Sequence, residues 1–235
     1  MASVPIRTPG PLLSAAENVR GVKLAPALVN PRHPATVQRI VAAAESIFAE
    51  RGLAGARTGA IARAARVNPA LLYYYFESKE ELHAYTLNVL VQQLHAKVSR
   101  GLEEPGSPRE RLLRYVNSYF DFMAAHPNYP RLFERELIGG GPRLRGIVRG
   151  NFRPLQQRLA GTIREGIARG EFRRVDARQT ILTIIAMTVF YFAAAPVVAE
   201  LWRCEPLAPK RLAARRRAIV DFLEHGLFLP RSRQR

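Results

Sequence analysis

A chain of 235 residues with 48% apolar and 23% charged residues has the balance of a folded globular protein, excludes a disordered one, and is long enough for two domains. A net charge of +17 points to a polyanionic partner, nucleic acid ahead of an anionic membrane surface, because neutralising phosphates with Lys or Arg releases condensed counterions. Only Lys23, Lys79, Lys97 and Lys210 are lysines; the arginine bias, with abundant Ala and Gly, also fits a GC-rich genome, so charge alone does not establish nucleic-acid binding.

In chain order, residues 1–34 carry Pro5, Pro9, Pro11, Pro26, Pro31 and Pro34 without an apolar period and read as a flexible basic arm. Its Arg7, Arg20, Lys23 and Arg32 could reach a minor groove, although an inert leader fits the composition better. From Ala35, the apolar residues Val37, Ile40, Val41, Ala44, Ile47 and Phe48 form the stripe of an amphipathic helix that Gly52 ends. A short helix is expected over 58–65 with Thr58 as N-cap or first-turn residue. A tight turn follows, and a third helix runs from Pro69 to about Tyr75, Pro69 suiting a first helical position that needs no N–H. Ser78 is the expected cap of a fourth helix, with Glu80 and Glu81 favouring its positive end.

Glu103–Pro108 reads as a loop, and helix resumes through Leu112, Val116, Tyr119, Phe120 and Met123 until His126 and Pro127. Pro130–Ile138 predicts a short helix, Gly139–Pro142 a break, and Leu144–Ala168 one long helix ending near Gly170. Asp176 caps another long helix, and Pro206 and Pro209 precede a last helix over about 210–227. Residues 181–198 carry no charge, which by length alone makes a membrane-span candidate; a helix apolar all round is equally a buried one, and Thr183, Thr188 and Pro196 favour burial. Arg215–Arg217 read as a solvated basic patch.

Two short helices joined by a tight turn and buttressed by a third can hold one helix out for a major groove. The run Tyr73, Tyr74, Tyr75, Phe76 cannot all be core, because adjacent helical residues point to different sides. The segments TVQRIVAAAESIFAERG and IARAARVNPALLYYYFESKEEL resemble the DNA-binding domain of the tetracycline-repressor (TetR) family over Thr36 to about Leu82. The resemblance is carried by Phe48 with Arg51-Gly52, Ile61-Ala62, Val67, Leu72-Tyr73, Phe76, Ser78-Lys79 and Leu82.

It implies that Thr58 contacts a phosphate at the start of the second helix, that Asn68, Pro69, Ala70 and Leu71 form the turn facing base edges, and that Tyr73 and Lys79 hold the DNA backbone. Tyr74 would lie along the groove wall, and Leu72 and Phe76 would be buried supports. Ala70 and Leu71 can offer only apolar contact to thymine methyls, while Asn68 or Tyr74 can hydrogen-bond. Two departures stand out. Arg57 replaces a common small hydroxyl, and Arg66 occupies the usual turn glycine, which strains it if the position needs a positive φ and could add a phosphate contact.

The expected organisation is therefore all-α: an arm over 1–34, a helix-turn-helix domain over 35–82, a helical regulatory and dimerisation domain over 83–230, and a basic tail over 231–235. The resemblance implies a homodimer through the two C-terminal helices on a palindromic double-stranded DNA operator, and repression relieved by a small-molecule effector. An apolar pocket from Tyr119, Phe120, Met123, Phe133, Phe152 and Phe190 is the candidate effector site, beside the plainer reading that each fills the core; His126, Glu134, Glu136 and Asn151 are candidate polar fixtures.

No enzyme is expected, since His33, His83, His95, His126 and His225 are scattered without nucleophile or metal-ligand spacing, and no metal or cofactor is anticipated. Cys204 is the only cysteine, so no intrachain disulfide can form. With no leader pattern, a cytoplasmic location without a membrane partner is the expectation. The competing readings are a nonspecific nucleic-acid-binding protein and a membrane-anchored regulator held by residues 181–198.

Overall fold

The computed structural model describes residues 34–139 and 142–230; the arm before Pro34, the tail over 231–235 and the centre of the expected glycine break lie outside the described residues. The chain divides into two compact units, the first reaching Thr86 and the second beginning at Leu87. Among the described residues the structure is helical, apart from an isolated bridge between Phe172 and Phe228.

The first unit contains α1 (Pro34–Gly55), α2 (Thr58–Ala64), α3 (Pro69–Tyr75) and the start of α4 (Lys79–Glu103). The apolar stripe of α1 is buried as its spacing predicts, and regular helix stops at Gly52, whose φ of 68° only glycine adopts freely, before one further turn reaches Gly55. The α1 helix packs on α2, and Ile61, Ala62, Leu72, Tyr75, Phe76 and Leu82 are buried in the same unit. Ser78 caps α4: its Oγ accepts from the Glu81 N–H at 3.1 Å, while the Glu81 carboxylate accepts from the Glu77 N–H at 2.7 Å.

The second unit continues α4 and adds α5 (Pro108–Ala125), α6 (Tyr129–Gly139), α7 (Pro142–Ile147), α8 (Arg153–Ala168), α9 (Ala177–Ala193), α10 (Ala195–Trp202) and α11 (Pro209–Gly226). A capping box of Ser107 and Glu110 starts α5, and Asp176 Oδ1 accepts from the Gln179 N–H at 2.8 Å to start α9. The core of this unit has α9 packed on α5, α6 and α8. Gly166 on α8 is required by close approach, since a Cβ there would stand 2.4 Å from the Phe172 ring.

Two expected helices are broken, both at prolines. The helix expected over Leu144–Ala168 is interrupted by a π-turn, Val148–Phe152, immediately before Pro154; proline has no N–H for the preceding turn and its ring crowds the carbonyl four residues back, which a widened turn relieves. The uncharged run 181–198 likewise does not form one rod. It bends by 69° between α9 and α10, where Pro196 occupies the first turn of α10, and no single helix among the described residues is long and apolar enough to cross a membrane. Nor is the run buried all round. Ile181, Ile184, Thr188, Tyr191 and Phe192 face the core, while Leu182 and Phe190 on α9 and Val197 on α10 are exposed.

Candidate nucleic-acid interface and regulatory interior

The first unit presents α3 by burying alternate parts of one aromatic run. Leu72, Tyr75 and Phe76 are fully enclosed, with Phe76 edge-on to Tyr85 at 5.4 Å, whereas Tyr73 and Tyr74 are 55% and 54% exposed. Two phenols therefore stand outward on a helix whose other side is clamped into a core. The Tyr73 hydroxyl shares a hydrogen bond of 3.0 Å with Thr58 Oγ1, joining the outer face of α3 to the first turn of α2. The N-cap of α2 is Arg57, which supplies no side-chain cap, so Thr58 is the first helical residue.

Asn68 is the N-cap of α3: its Oδ1 accepts from the Ala70 N–H at 2.9 Å, and Pro69 follows at the first helical position. One lone pair of the amide oxygen is thus committed to the backbone, and the exposed side chain keeps its Nδ2 donors and the second lone pair. Pro69 and Ala70 are exposed and Leu71 half-buried. Lys79, at the first position of α4, donates to the Ala54 carbonyl at 3.4 Å. The residue at the usual turn glycine does adopt the left-handed region, with φ of 55° at Arg66.

The interior of the second unit separates the expected pocket residues into groups. Burial raises the Tyr115, Tyr119 and Tyr129 phenols above the ordinary tyrosine range, and the proximity of Tyr119 pushes the other two in the same direction, so all three stay neutral. Phe122 meets Tyr129 edge-on at 5.4 Å, Tyr129 stacks on Phe133 at 5.6 Å and Phe133 meets Phe152 edge-on at 5.4 Å, which forms one aromatic row from α5 through α6 to the π-turn. Phe120 belongs elsewhere, against Phe192 at 5.2 Å and beneath the Arg216 guanidinium at 4.9 Å, and Met123 is buried. Phe190 lines no interior at all, being 70% exposed on the outer face of α9.

Of the four polar candidates, Asn151 is the buried one. It sits in the π-turn and its Oδ1 accepts from Gln92 Nε2 at 3.0 Å, while Glu134 is exposed, Glu136 is half-buried, and His126 ends α5 with its ring stacked on Phe122 at 4.6 Å. An open groove of about 800 Å³ lies along α11 instead, lined by Arg109, Arg173, Arg217, Asp221 and Phe228. The Arg215–Arg217 patch is not simply solvated either. Arg216 pairs with Asp121, and Arg215 donates to the Met187 carbonyl at 2.6 Å beside the Tyr191 ring, leaving Arg217 exposed.

Sequence reasoning missed the Thr58–Tyr73 bond, which joins positions fifteen residues apart, and the bond from Arg39 Nε to the Ala65 carbonyl. No local pattern encodes either. The capping role of Asn68 was readable, because Asn before Pro at a helix start is itself an N-cap signal.

Two family models match the chain: bacterial regulatory proteins of the tetR family over residues 40–85, and the tetracyclin repressor-like C-terminal domain over residues 108–223. Together they span most of its length. The chain belongs to the TetR family. As a TetR-family protein it resembles the HTH-type transcriptional regulator RutR of Escherichia coli K12, 28% identical over 159 residues that make up 68% of this chain and 74% of that protein.

Two solved structures show the same fold. The ketosteroid transcriptional regulator KstR2 of Mycobacterium tuberculosis superposes with a TM-score of 0.69 at 21% identity, over 86% of this chain and 97% of that one. The FadR regulator of Bacillus subtilis, solved in complex with stearoyl-CoA, superposes with a TM-score of 0.61 at 22% identity, over 80% and 98%. The assignment carries the helix-turn-helix and a regulatory class of function, and no enzymatic family is indicated.

Proposed function

We propose that this protein is a sequence-specific DNA-binding repressor that works as a homodimer and is released by a small apolar or amphipathic ligand. The observation that carries the DNA-binding part is the division of the α3 aromatic run: Leu72, Tyr75 and Phe76 fix the helix from behind, and Tyr73 and Tyr74 stand outward beside Asn68, Pro69, Ala70 and Leu71. In this reading Tyr73, Thr58 and Lys79 hold phosphates, Tyr74 follows the groove wall, and the Asn68–Leu71 turn faces the bases. With the Asn68 oxygen turned to the backbone in capping, the Nδ2 donors are the groups directed to a base acceptor such as purine N7, guanine O6 or thymine O4.

The dimer is supported by the apolar side chains left exposed on α9, α10 and α11: Leu182, Phe190, Val197, Leu201, Trp202 and Phe222. A second copy covering this face would place two α3 helices on half-sites about one DNA turn, or a multiple of it, apart. The ligand is supported by the aromatic row Phe122, Tyr129, Phe133 and Phe152, with the buried amide of Asn151, the residue before Phe152, as its polar fixture, and by the buried Tyr119 phenol. FadR, which shares the fold, is seen with stearoyl-CoA, a ligand with a long apolar body. Release requires that the ligand favour a conformation whose helix spacing no longer matches the operator.

Selection of bound sequences from random duplex DNA tests the reading. Enrichment of one palindrome is expected; salt-sensitive binding with no enriched sequence would establish the nonspecific nucleic-acid binder instead. Phe190→Asp is expected to convert the dimer to monomer in sedimentation, and an unchanged dimer would remove α9 from the interface.

A further inference from the structure

We propose that Arg66 is an additional DNA-backbone contact particular to this chain, its side chain displayed by a turn residue in the left-handed conformation. The inference rests on the helix-turn-helix reading above and extends its contact surface to a position that in this family is commonly a glycine.

Arg66 has φ of 55°, a region that residues with a Cβ enter at a cost and glycine enters freely. The backbone has no easy alternative there. The Arg66 N–H bonds the Arg63 carbonyl at 3.1 Å, the Val67 N–H bonds the Ala62 carbonyl at 2.9 Å, Arg39 Nε holds the Ala65 carbonyl at 3.2 Å, and Asn68 caps α3 two residues later. A turn so fully determined tolerates strain imposed by its neighbours. A glycine would relieve that strain without disturbing any of these bonds, so the arginine is not there for the fold.

Its side chain is exposed and makes no ion pair, hydrogen bond or ring contact among the described residues. It lies two positions before the N-cap of the helix that faces the groove, and Arg63, one turn earlier on α2, is exposed and free in the same way. A cation unpaired in the protein, on a rigid turn at the entry to a groove-facing helix, is placed to meet a phosphate flanking that groove. Arg203, which ends α10 with φ of 46°, provides an internal control: the same residue type in the same backbone region, in the other unit.

The test is the slope of log affinity against log salt on the selected duplex, measured with Tm for Arg66→Gly, Arg66→Gln, Arg66→Lys and Arg203→Gly. Arg66→Gly is expected to raise Tm by a few degrees and to reduce the slope by about 0.9, weakening selected and random duplexes alike. Arg66→Gln should lose the same slope without the gain in Tm, Arg66→Lys should keep the slope, and Arg203→Gly should raise Tm with the slope unchanged. Wild-type slopes in both Arg66→Gly and Arg66→Gln, in a protein that binds its duplex, would overturn the contact. A wild-type protein that binds no duplex at any salt would overturn the helix-turn-helix reading and the Arg66 assignment together.

Discussion

In the unit that ends at Thr86, Arg57, Arg63 and Arg66 stand exposed without a partner among the described residues, whereas beyond Leu87 many arginines are held in place. Arg109 pairs with Glu224 and lies over the Phe228 ring, Arg111 pairs with Glu165, and Arg158 with Glu103. Arg114 spans the Gly101 and Glu104 carbonyls, and Arg215 and Arg216 tie α11 to α9 and α5. One residue type thus serves packing at some positions and stands exposed at others in both units, since Arg39 holds the Ala65 carbonyl in the first and Arg203 and Arg217 are exposed in the second. The net charge of +17 overstates what a polyanion can use; where the cations are free matters more than how many there are.

The largest expected effect breaks the packed side. Phe120 is fully buried beneath Arg216, so Phe120→Ala should cost about 3–5 kcal/mol in urea unfolding. Tyr73→Ala should change stability by less than about 1 kcal/mol, since its ring is already largely in water. Among the groups proposed to hold the DNA backbone, Tyr73→Ala combined with Lys79→Ala should weaken DNA binding without unfolding the protein and lower its salt slope by about one, because Lys79 is the charged member of the pair.

Asp121→Asn, which removes the partner of Arg216, should cost on the order of 1 kcal/mol or less and leave that slope unchanged, since both side chains of this pair are partly exposed. A lowered slope would show that the packed arginines also serve the polyanion. The smallest effect is in acid. The hydrogen bond from Arg111 holds the Glu165 carboxyl below its ordinary value of 4.5, so its stabilisation is complete above that pH and is lost as pH falls through the lowered folded value. Glu165→Gln should flatten that part of the acid limb of a stability–pH curve.

The helix-turn-helix was legible because its signals are local: the α1 stripe, Pro69 at a helix start, Ser78 as a cap, and an aromatic run that could not all be buried. The turn strain at Arg66 was legible only through the family resemblance, which marks the position as a usual glycine. The second unit was less so. Periodicity located α5 and α11 but read through Pro154 and Pro196, where a π-turn and a 69° bend interrupt two apolar runs. The pocket residues were chosen by type, and type cannot tell Phe152, which ends an aromatic row, from Phe190, which points outward. Which arginines are held was also hidden, because Arg109–Glu224 and Arg216–Asp121 join residues roughly a hundred positions apart.

Competition at 0.15 M salt between the selected palindrome and a scrambled duplex of the same length and composition tests sequence-specific recognition most directly. The account predicts a preference of about a thousandfold or more for the palindrome. Equal affinity for the two duplexes would contradict it.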